Sequence, residues 1–260
     1  MPIPFQGTPW ALSSDGLAAM ASKLGVFAAE IWTVLSVETS GCGYLPDRRP
    51  QILYERHLFH RLTRGRYDDG DISDPSPGGY GARGAHQYEG LGLAIAKDRN
   101  AALRSASWGI GQIMGENFAV AGFAEVEGMV VAMSRSEDEQ LAAMGNFLLS
   151  QKMHTALRAH DWTTFARAYN GPNYAINRYD LRLNAEYQKY PSGLLPHPNV
   201  RAAQLYLKYL GFDPGPLDGL GGRRTLSALA EFEVQMRLPG SKVIDADTVE
   251  QLKLALSAVT

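Results

Sequence analysis

The stretch F-A-A-E-I-W-T-V-L-S-V-E, from Phe27 to Glu38, constrains this chain more than any other. Phe27, Ile31, Val34 and Leu35 recur at the spacing of one helical face. At 3.6 residues per turn, Glu38 returns to the angular position of Phe27. The pattern predicts a core helix with a carboxyl group at the end of its buried stripe. Burial disfavours the charged form of such a group. The negative end of the helix dipole does the same. Both raise its pKa, and a carboxylic acid still protonated near neutral pH is what a general acid requires. The commonplace alternative is a glutamate that turns outward to water, because charged side chains usually mark solvated faces.

The chain has 260 residues, 45% of them hydrophobic, enough for one large or two smaller domains with a sizeable core. A formal net charge of −2 gives no general attraction to nucleic acid or to anionic membrane. The single cysteine, Cys42, excludes an intramolecular disulfide, which fits folding in a reducing cytoplasm. No apolar run approaches the length of a membrane span, so no stable membrane insertion is expected. The N-terminus, M-P-I-P-F-Q-G-T-P-W, shows no basic-then-apolar signal pattern. Neither a metal nor a cofactor is expected. H-E-x-x-H is absent, and His57 and His60 have no partner set for zinc. Gly79 to Gly84 spells G-x-G-x-x-G, but D-I-S-D-P-S-P precedes it where a dinucleotide site needs a strand. A thiol hydrolase built on Cys42 and His57 is disfavoured, since a lone cysteine near a histidine is more often inert.

Several helices are legible. Asp15 to Leu24 forms a short one closed by Gly25, and the helix ending at Glu38 follows. Thr39 to Pro50 is turn-rich, and Gln51 to Phe59 is a short apolar piece with Glu55 inside it. Residues 64 to 90, dominated by Gly, Asp and Pro, read as a long loop of the functional or mobile kind. The pattern from Tyr88 to Tyr187 is helical, with a capping box at Ser136-Glu137-Asp138-Glu139 and a helix opening at Asp161-Trp162. Residues 191–198, inside the proline-rich run Tyr190 to Asn199, form a linker between a domain over 1–190 and a three-helix unit over 199–260.

Three further stretches carry candidate chemistry. Glu55, beside Arg56 and His57, is a second carboxylate that a glycine-containing turn could fold back across from Glu38. Hydrolysis of a glycosidic bond requires two carboxyl groups flanking that bond. A plain ion pair to a nearby arginine is the alternative. In S-W-G-I-G-Q-I-M, from Ser107 to Met114, Gly109 and Gly111 let the backbone pass close to something, and Gln112 offers an amide beside that gap. By itself this stretch reads better as a helix start. Ala168-Tyr169-Asn170-Gly171-Pro172 ends a helix with a polar pair, as an ordinary C-cap would. The arginines at 48, 49, 56, 61, 64 and 66, followed by Asp68, Asp69, Asp71 and Asp74, are most simply a solvated, locally paired surface.

In this order the motifs carry a resemblance. Glu38 with Ser40-Gly41, then S-W-G-I-G-Q-I-M, then A-Y-N-G-P resembles the three-part signature of the lysozyme-like superfamily. More closely, V-E-T-S-G-C-G-Y-L, I-L-Y-E-R-H-L-F, P-G-G-Y, S-A-S-W-G-I-G-Q-I-M-G and F-A-R-A-Y-N-G-P-N-Y resemble the N-acetylmuramidase domain of certain phage endolysins, over about residues 10 to 190. The resemblance implies a mainly α, lysozyme-like catalytic domain with Glu38 as the catalytic acid and Glu55 as the second functional carboxylate. It also implies that Ser107, Gln112, Tyr169 and Asn170 line the sugar cleft. Thr39 departs from it mildly, standing where the family more often has serine.

The C-terminal unit, through L-G-F-D-P-G-P-L-D-G-L-G-G-R-R-T-L-S-A-L and I-D-A-D-T-V-E-Q-L, is similar to a three-helix peptidoglycan-binding domain. Asp213, Asp218, Gly219 and Thr225 are its wall-binding candidates, although turn residues of this kind have a local structural logic of their own. The expected function is cleavage of the bond between N-acetylmuramic acid and N-acetylglucosamine in peptidoglycan during host lysis. A lytic transglycosylase and a non-catalytic wall-binding or tail protein are the rivals. The protein is expected to be a monomer that waits in the host cytoplasm and reaches the periplasm and wall once a partner holin has permeabilised the membrane.

Overall fold

The helix that carries Glu38 is enclosed on nearly every side. In the computed structural model, which describes residues 4–39, 41–193, 195–241 and 243–258, α2 (Ala28–Thr39) buries Glu30 through Leu35, Val37 and Thr39. A helix covered all round belongs at the centre of a domain. Phe27 is not part of its buried stripe. It precedes the first turn, its N–H donates to Glu30 Oε2 at 2.9 Å, and its ring is 81% exposed. The stripe is instead Ile31, Val34, Leu35 and Glu38, at positions i, i+3, i+4 and i+7. Glu38 keeps its place at the end of the stripe, with Ile31 rather than Phe27 as the anchor.

The other helices of this region are α1 (Ser14–Leu24), which starts on the Ser13 cap and ends at Gly25 as expected, and, further along the chain, α3 (Arg56–Thr63), α4 (Gln87–Ile95), α5 (Arg99–Arg104), α6 (Val126–Arg135), α7 (Glu137–Ser150), α8 (His154–Arg158), α9 (Trp162–Asn170) and α10 (Tyr179–Tyr187). α1 packs on α2 and α7, and α10 packs on α2 and α9. The caps at Ser136 and Asp161 form as read, each side chain accepting a backbone N–H three residues on. Most of residues 64 to 86 is loop, and its Asp68 and Asp74 pair with His60 and Arg56 of α3.

The helical pattern from Tyr88 to Tyr187 is interrupted. Ser107–Met114 is not a helix start. β1 (Ile52–Tyr54), β2 (Ala106–Trp108) and β3 (Ile113–Met114) form an antiparallel sheet in that order, with Leu53 opposite Ser107 and Ser107 opposite Met114. The reason lies at the β2–β3 turn, which presses against α7. Gly109 has φ +72°, and a Cβ there would stand 2.6 Å from Cδ of Gln140. Only glycine permits both the left-handed backbone and the close approach. The surface that Gly109 and Gly111 were expected to pass is α7, with Gln140 against the first and Met144 against the second.

α11 (Pro198–Tyr209), α12 (Arg223–Met236) and α13 (Ala246–Ala258) make the C-terminal unit. The units on either side of the prolines pack against one another. The second apolar cluster combines Leu205, Tyr206, Leu229 and Phe232 of this unit with Ala11, Cys42 and Tyr44 of the N-terminal region. Tyr206 Oη accepts the N–H of Ala11 at 2.9 Å, and Tyr209 Oη donates to Leu45 O at 2.9 Å. At the centre Arg201, 1% exposed, makes a two-bond pair with Glu137, 0% exposed, at 2.5 and 2.6 Å. Removing one partner of such a pair leaves an uncompensated buried charge and costs about 3–5 kcal/mol. Deleting residues after Pro196 should therefore lower the melting temperature of the remaining core by about 10 °C or more, at about 2–4 °C per kcal/mol for a chain of this size. A truncated chain that melts within about 2 °C of the full-length protein would contradict the shared core.

Candidate active site

Glu38 sits in the last turn of α2, half-buried. Three contacts fix this helix end. Thr39 Oγ1 donates to Ile110 O at 3.1 Å, binding it to the β2–β3 turn, and Asn170 Nδ2 at the end of α9 donates to Glu38 Oε1 at 3.2 Å. Arg182 on α10 donates to Val37 O at 2.8 Å. Burial pushes the Glu38 carboxyl up to about 7, opposed by the Asn170 hydrogen bond and the Arg182 charge. The phenols of Tyr169 on α9 and Tyr179 on α10 face the same carboxyl. Both are raised, first by burial and then by the Glu38 charge. The Ser40 that follows in the motif lies outside the described residues.

Glu55 follows β1 directly and occupies the N-cap position of α3 without capping it. Its N–H donates to Ser105 O at 2.8 Å, extending the β1–β2 pairing by one residue. Alternation along β1 buries Ile52 and Tyr54 and leaves Leu53 and Glu55 partly open. The more open face of the sheet thus carries Leu53, Glu55, Ser107 and Met114. Nδ1 of His57 stands 3.1 Å from Glu55 Oε2, and the Tyr80 phenol donates to the same carboxylate. Burial raises the Glu55 carboxyl, while His57 and Tyr80 pull it back. Arg56 takes no part in this. It turns to the 70–78 loop, donating to Gly70 O and, at 3.1 Å, to Gly78 O. The simple ion pair between Glu55 and a neighbouring arginine therefore does not form.

The remaining candidates fall around these two. Tyr169 donates its phenol to Gly111 O at 2.5 Å and stacks on Phe165, so it braces the turn beside Glu38. Ser107 Oγ donates to Gln112 Oε1 at 2.9 Å, and Gln112 Nε2 donates to Gly109 O at 2.8 Å. Both ends of the Gln112 amide are thus used inside the hairpin, which explains how a non-glycine residue holds φ +47° there. Asn170 Oδ1 is a buried acceptor with no donor among the described residues, and it lies beside the Glu38 carboxyl. Cys42 is buried, donates to Tyr44 O, and has its thiol pushed up to about 11 by burial, with the Glu137 charge adding to it. It is packing rather than a nucleophile.

In the C-terminal unit, Asp218 and Thr225 line a groove of about 370 Å³ with Gln204, Pro214, Leu220 and Arg224. Thr225 is buried and donates to Pro214 O. Asp213 accepts from Gly215 N and Arg224, and Gly219, at φ +72°, turns the loop. These residues shape the groove. Gln204, which the motifs did not single out, holds it together, donating to Asp218, Leu220 O and Thr225 and accepting from Gly219 N.

Sequence reasoning also missed Tyr80, Tyr179, Arg182, Glu137 and Arg201. Tyr80 stood in the quoted P-G-G-Y, and Glu137 in the capping box. Arg201 showed as a charge inside the otherwise weakly polar start of α11.

A buried core helix packed among other helices, beside a small three-stranded antiparallel sheet, fits a helical domain of lysozyme-like fold. The N-acetylmuramidase family model matches residues 27–191, and a peptidoglycan binding domain model matches residues 196–252. The chain belongs to the N-acetylmuramidase family and is a peptidoglycan hydrolase with a C-terminal peptidoglycan-binding domain. It is similar to the crystal structure of the Burkholderia AP3 phage endolysin, at 38% identity and a TM-score of 0.64, over 71% of this chain and 72% of that one. No protein of curated description matches it.

The raised Glu38 also makes a stability prediction. Below its ordinary value of 4.5 the group is neutral in both folded and unfolded chains. As pH rises toward 7 the unfolded chain ionises first, so the folded state loses stability, by at most about 3 kcal/mol. Glu38→Gln should thus be more stable than the wild type at pH 8, by up to that amount, and nearly equal to it at pH 4. Urea unfolding at the two pH values checks this, and an equal difference at both would contradict the raised acid.

Proposed function

We propose that this hydrolase cleaves the β-1,4 bond between N-acetylmuramic acid and N-acetylglucosamine, with Glu38 as general acid and Glu55 as second carboxylate. The observation that carries the reading is the Glu38 carboxyl, pushed up to about 7 by burial at the end of α2. In that state it delivers a proton to the glycosidic oxygen as the bond to the sugar carbon breaks. The carboxylate left behind keeps the Asn170 N–H and the nearby Arg182 charge. Glu55, in its ionised form, takes a proton from the attacking water or stabilises positive charge on the sugar ring.

Glu55 acting as base to water is the inverting route, in which the carboxyl groups stand about 6.5–9.5 Å apart, against about 5 Å in a covalent one. Ser107, Gln112 and Tyr169 would serve the sugar cleft chiefly by fixing the hairpin, and Asn170 by holding the acid.

We infer further that the enzyme acts as a phage endolysin, which its likeness to the Burkholderia AP3 protein supports. It would work as a monomer, stay in the host cytoplasm until a holin opens the membrane, and then reach the wall. Among the described residues no single helix is long and apolar enough to cross a membrane. The groove shaped by Asp213, Asp218, Gly219 and Thr225 would hold the enzyme on its insoluble substrate and raise its effective concentration there.

Glu38→Gln should abolish clearing of purified sacculi with the fold intact. Wild-type clearing at matched folded concentration would sink the assignment. Glu55→Gln should slow the reaction by about two to four orders of magnitude while leaving pelleting with sacculi unchanged. Products with reducing muramic ends support hydrolysis, whereas anhydro-muramic ends would make the enzyme a lytic transglycosylase.

A further inference from the structure

The loop that leaves the acid-bearing helix is held by the wall-binding unit. Gly41 and Gly43 lie three and five residues beyond Glu38. Gly41 O accepts from Arg201 Nε, and Gly43 N donates to Glu137 Oε1 at 2.7 Å. Glu137 Oε2 accepts the N–H of Leu12 at 2.8 Å, and both its oxygens accept from the Arg201 guanidinium. One turn along α7, Gln140 Oε1 accepts the N–H of Ile110 at 2.7 Å, and Ile110 O in turn receives Thr39 Oγ1. The two loops that frame Glu38 therefore rest on neighbouring positions of α7. The first of them is clamped from outside by a residue of α11.

We propose that Arg201 of the peptidoglycan-binding domain is a positioning residue of the muramidase site, so that this domain completes the site as well as tethering it. Removing the clamp frees Gly41 from a fixed partner and leaves Glu137 charged and half-paired in the interior. The end of α2 can then loosen, and the Glu38 carboxyl gains water. Misplacement of a reacting group by about 1 Å costs about 100-fold in rate. The proposal rests on the reading of Glu38 as the acid. The groups that face that acid, Tyr169, Tyr179, Arg182 and Asn170, all lie on α9 and α10 and are untouched by Arg201.

The test uses the full chain and soluble, uncrosslinked glycan strands, on which tethering to an insoluble wall plays no part. Arg201→Lys keeps the charge but loses the forked geometry. It should lower kcat by about 10- to 100-fold with KM little changed. The alkaline limb of the rate profile, set by loss of the Glu38 proton, should move to lower pH. Simple loss of folded protein would lower the rate without moving that limb. If Arg201→Lys does not fold, the limb is read in Arg201→Gln, which can still donate to Glu137. Tyr206→Phe is the control. It removes the bond to Ala11 N and keeps every bond of Arg201 to Gly41 and Glu137, and should lower the melting temperature and leave the limb in place. Wild-type kcat and an unmoved limb in the Arg201 variant would overturn the proposal, as would an equal limb shift in Tyr206→Phe. If Glu38→Gln remains active, the acid assignment fails instead. If Glu38→Gln is dead and the Arg201 variant is unaffected, only the present proposal fails.

Discussion

The fold is tied together by one buried pair, Glu137 with Arg201. Two charges removed from water carry a desolvation penalty of several kcal/mol each, so the pair persists only because every oxygen and nitrogen in it is engaged. Glu137 accepts four hydrogen bonds, two from Arg201 and one each from Leu12 N and Gly43 N. Burial works against the Arg201 charge, and Glu137 outweighs it, holding the guanidinium above its ordinary range. An apolar pair of the same volume could fill the space, but it would leave the N–H groups of Leu12 and Gly43 unpaired in the interior. The N-terminal segment, the loop after α2, the start of α7 and α11 of the wall-binding unit meet at this one point.

The acid and its setting follow from the same enclosure. α2 is covered on nearly all sides, so a carboxyl at its end loses most of its water, and that loss outweighs the one hydrogen bond from Asn170 and the charge of Arg182. Glu55 lives in a different setting. It stands at a strand end with a histidine and a phenol beside it, both favouring the carboxylate, although burial still raises it. Glu38 at the end of a buried helix and Glu55 at a strand end thus stand in settings that act on their carboxyls in different proportions.

The sequence made much of this legible, because the local signals are strong where the chain is helical. The stripe on α2, the caps at Ser136 and Asp161 and the stop at Gly25 each have a short-range cause. The sheet was not legible. Its strands are two or three residues long, and what turns Ser107–Met114 into a hairpin is contact between Gly109 and Gln140, 31 positions away in the chain. Phe27 misled because an apolar residue at a cap position continues the helical period without entering the helix. The interdomain clamp was hidden for a related reason. Glu137 satisfied a capping pattern in its own segment, and the proline-rich run before α11 resembled a spacer, so nothing local linked Glu137 to Arg201. Gln112, Thr225 and Gly219 stand out in their motifs, and locally each braces or turns a loop.

If enclosure raises the Glu38 carboxyl, a carbon-13 NMR titration of that side chain in the intact, unliganded protein gives a midpoint near 7. A midpoint near the ordinary value of 4.5 would show a solvated carboxylate at the end of α2 and contradict it.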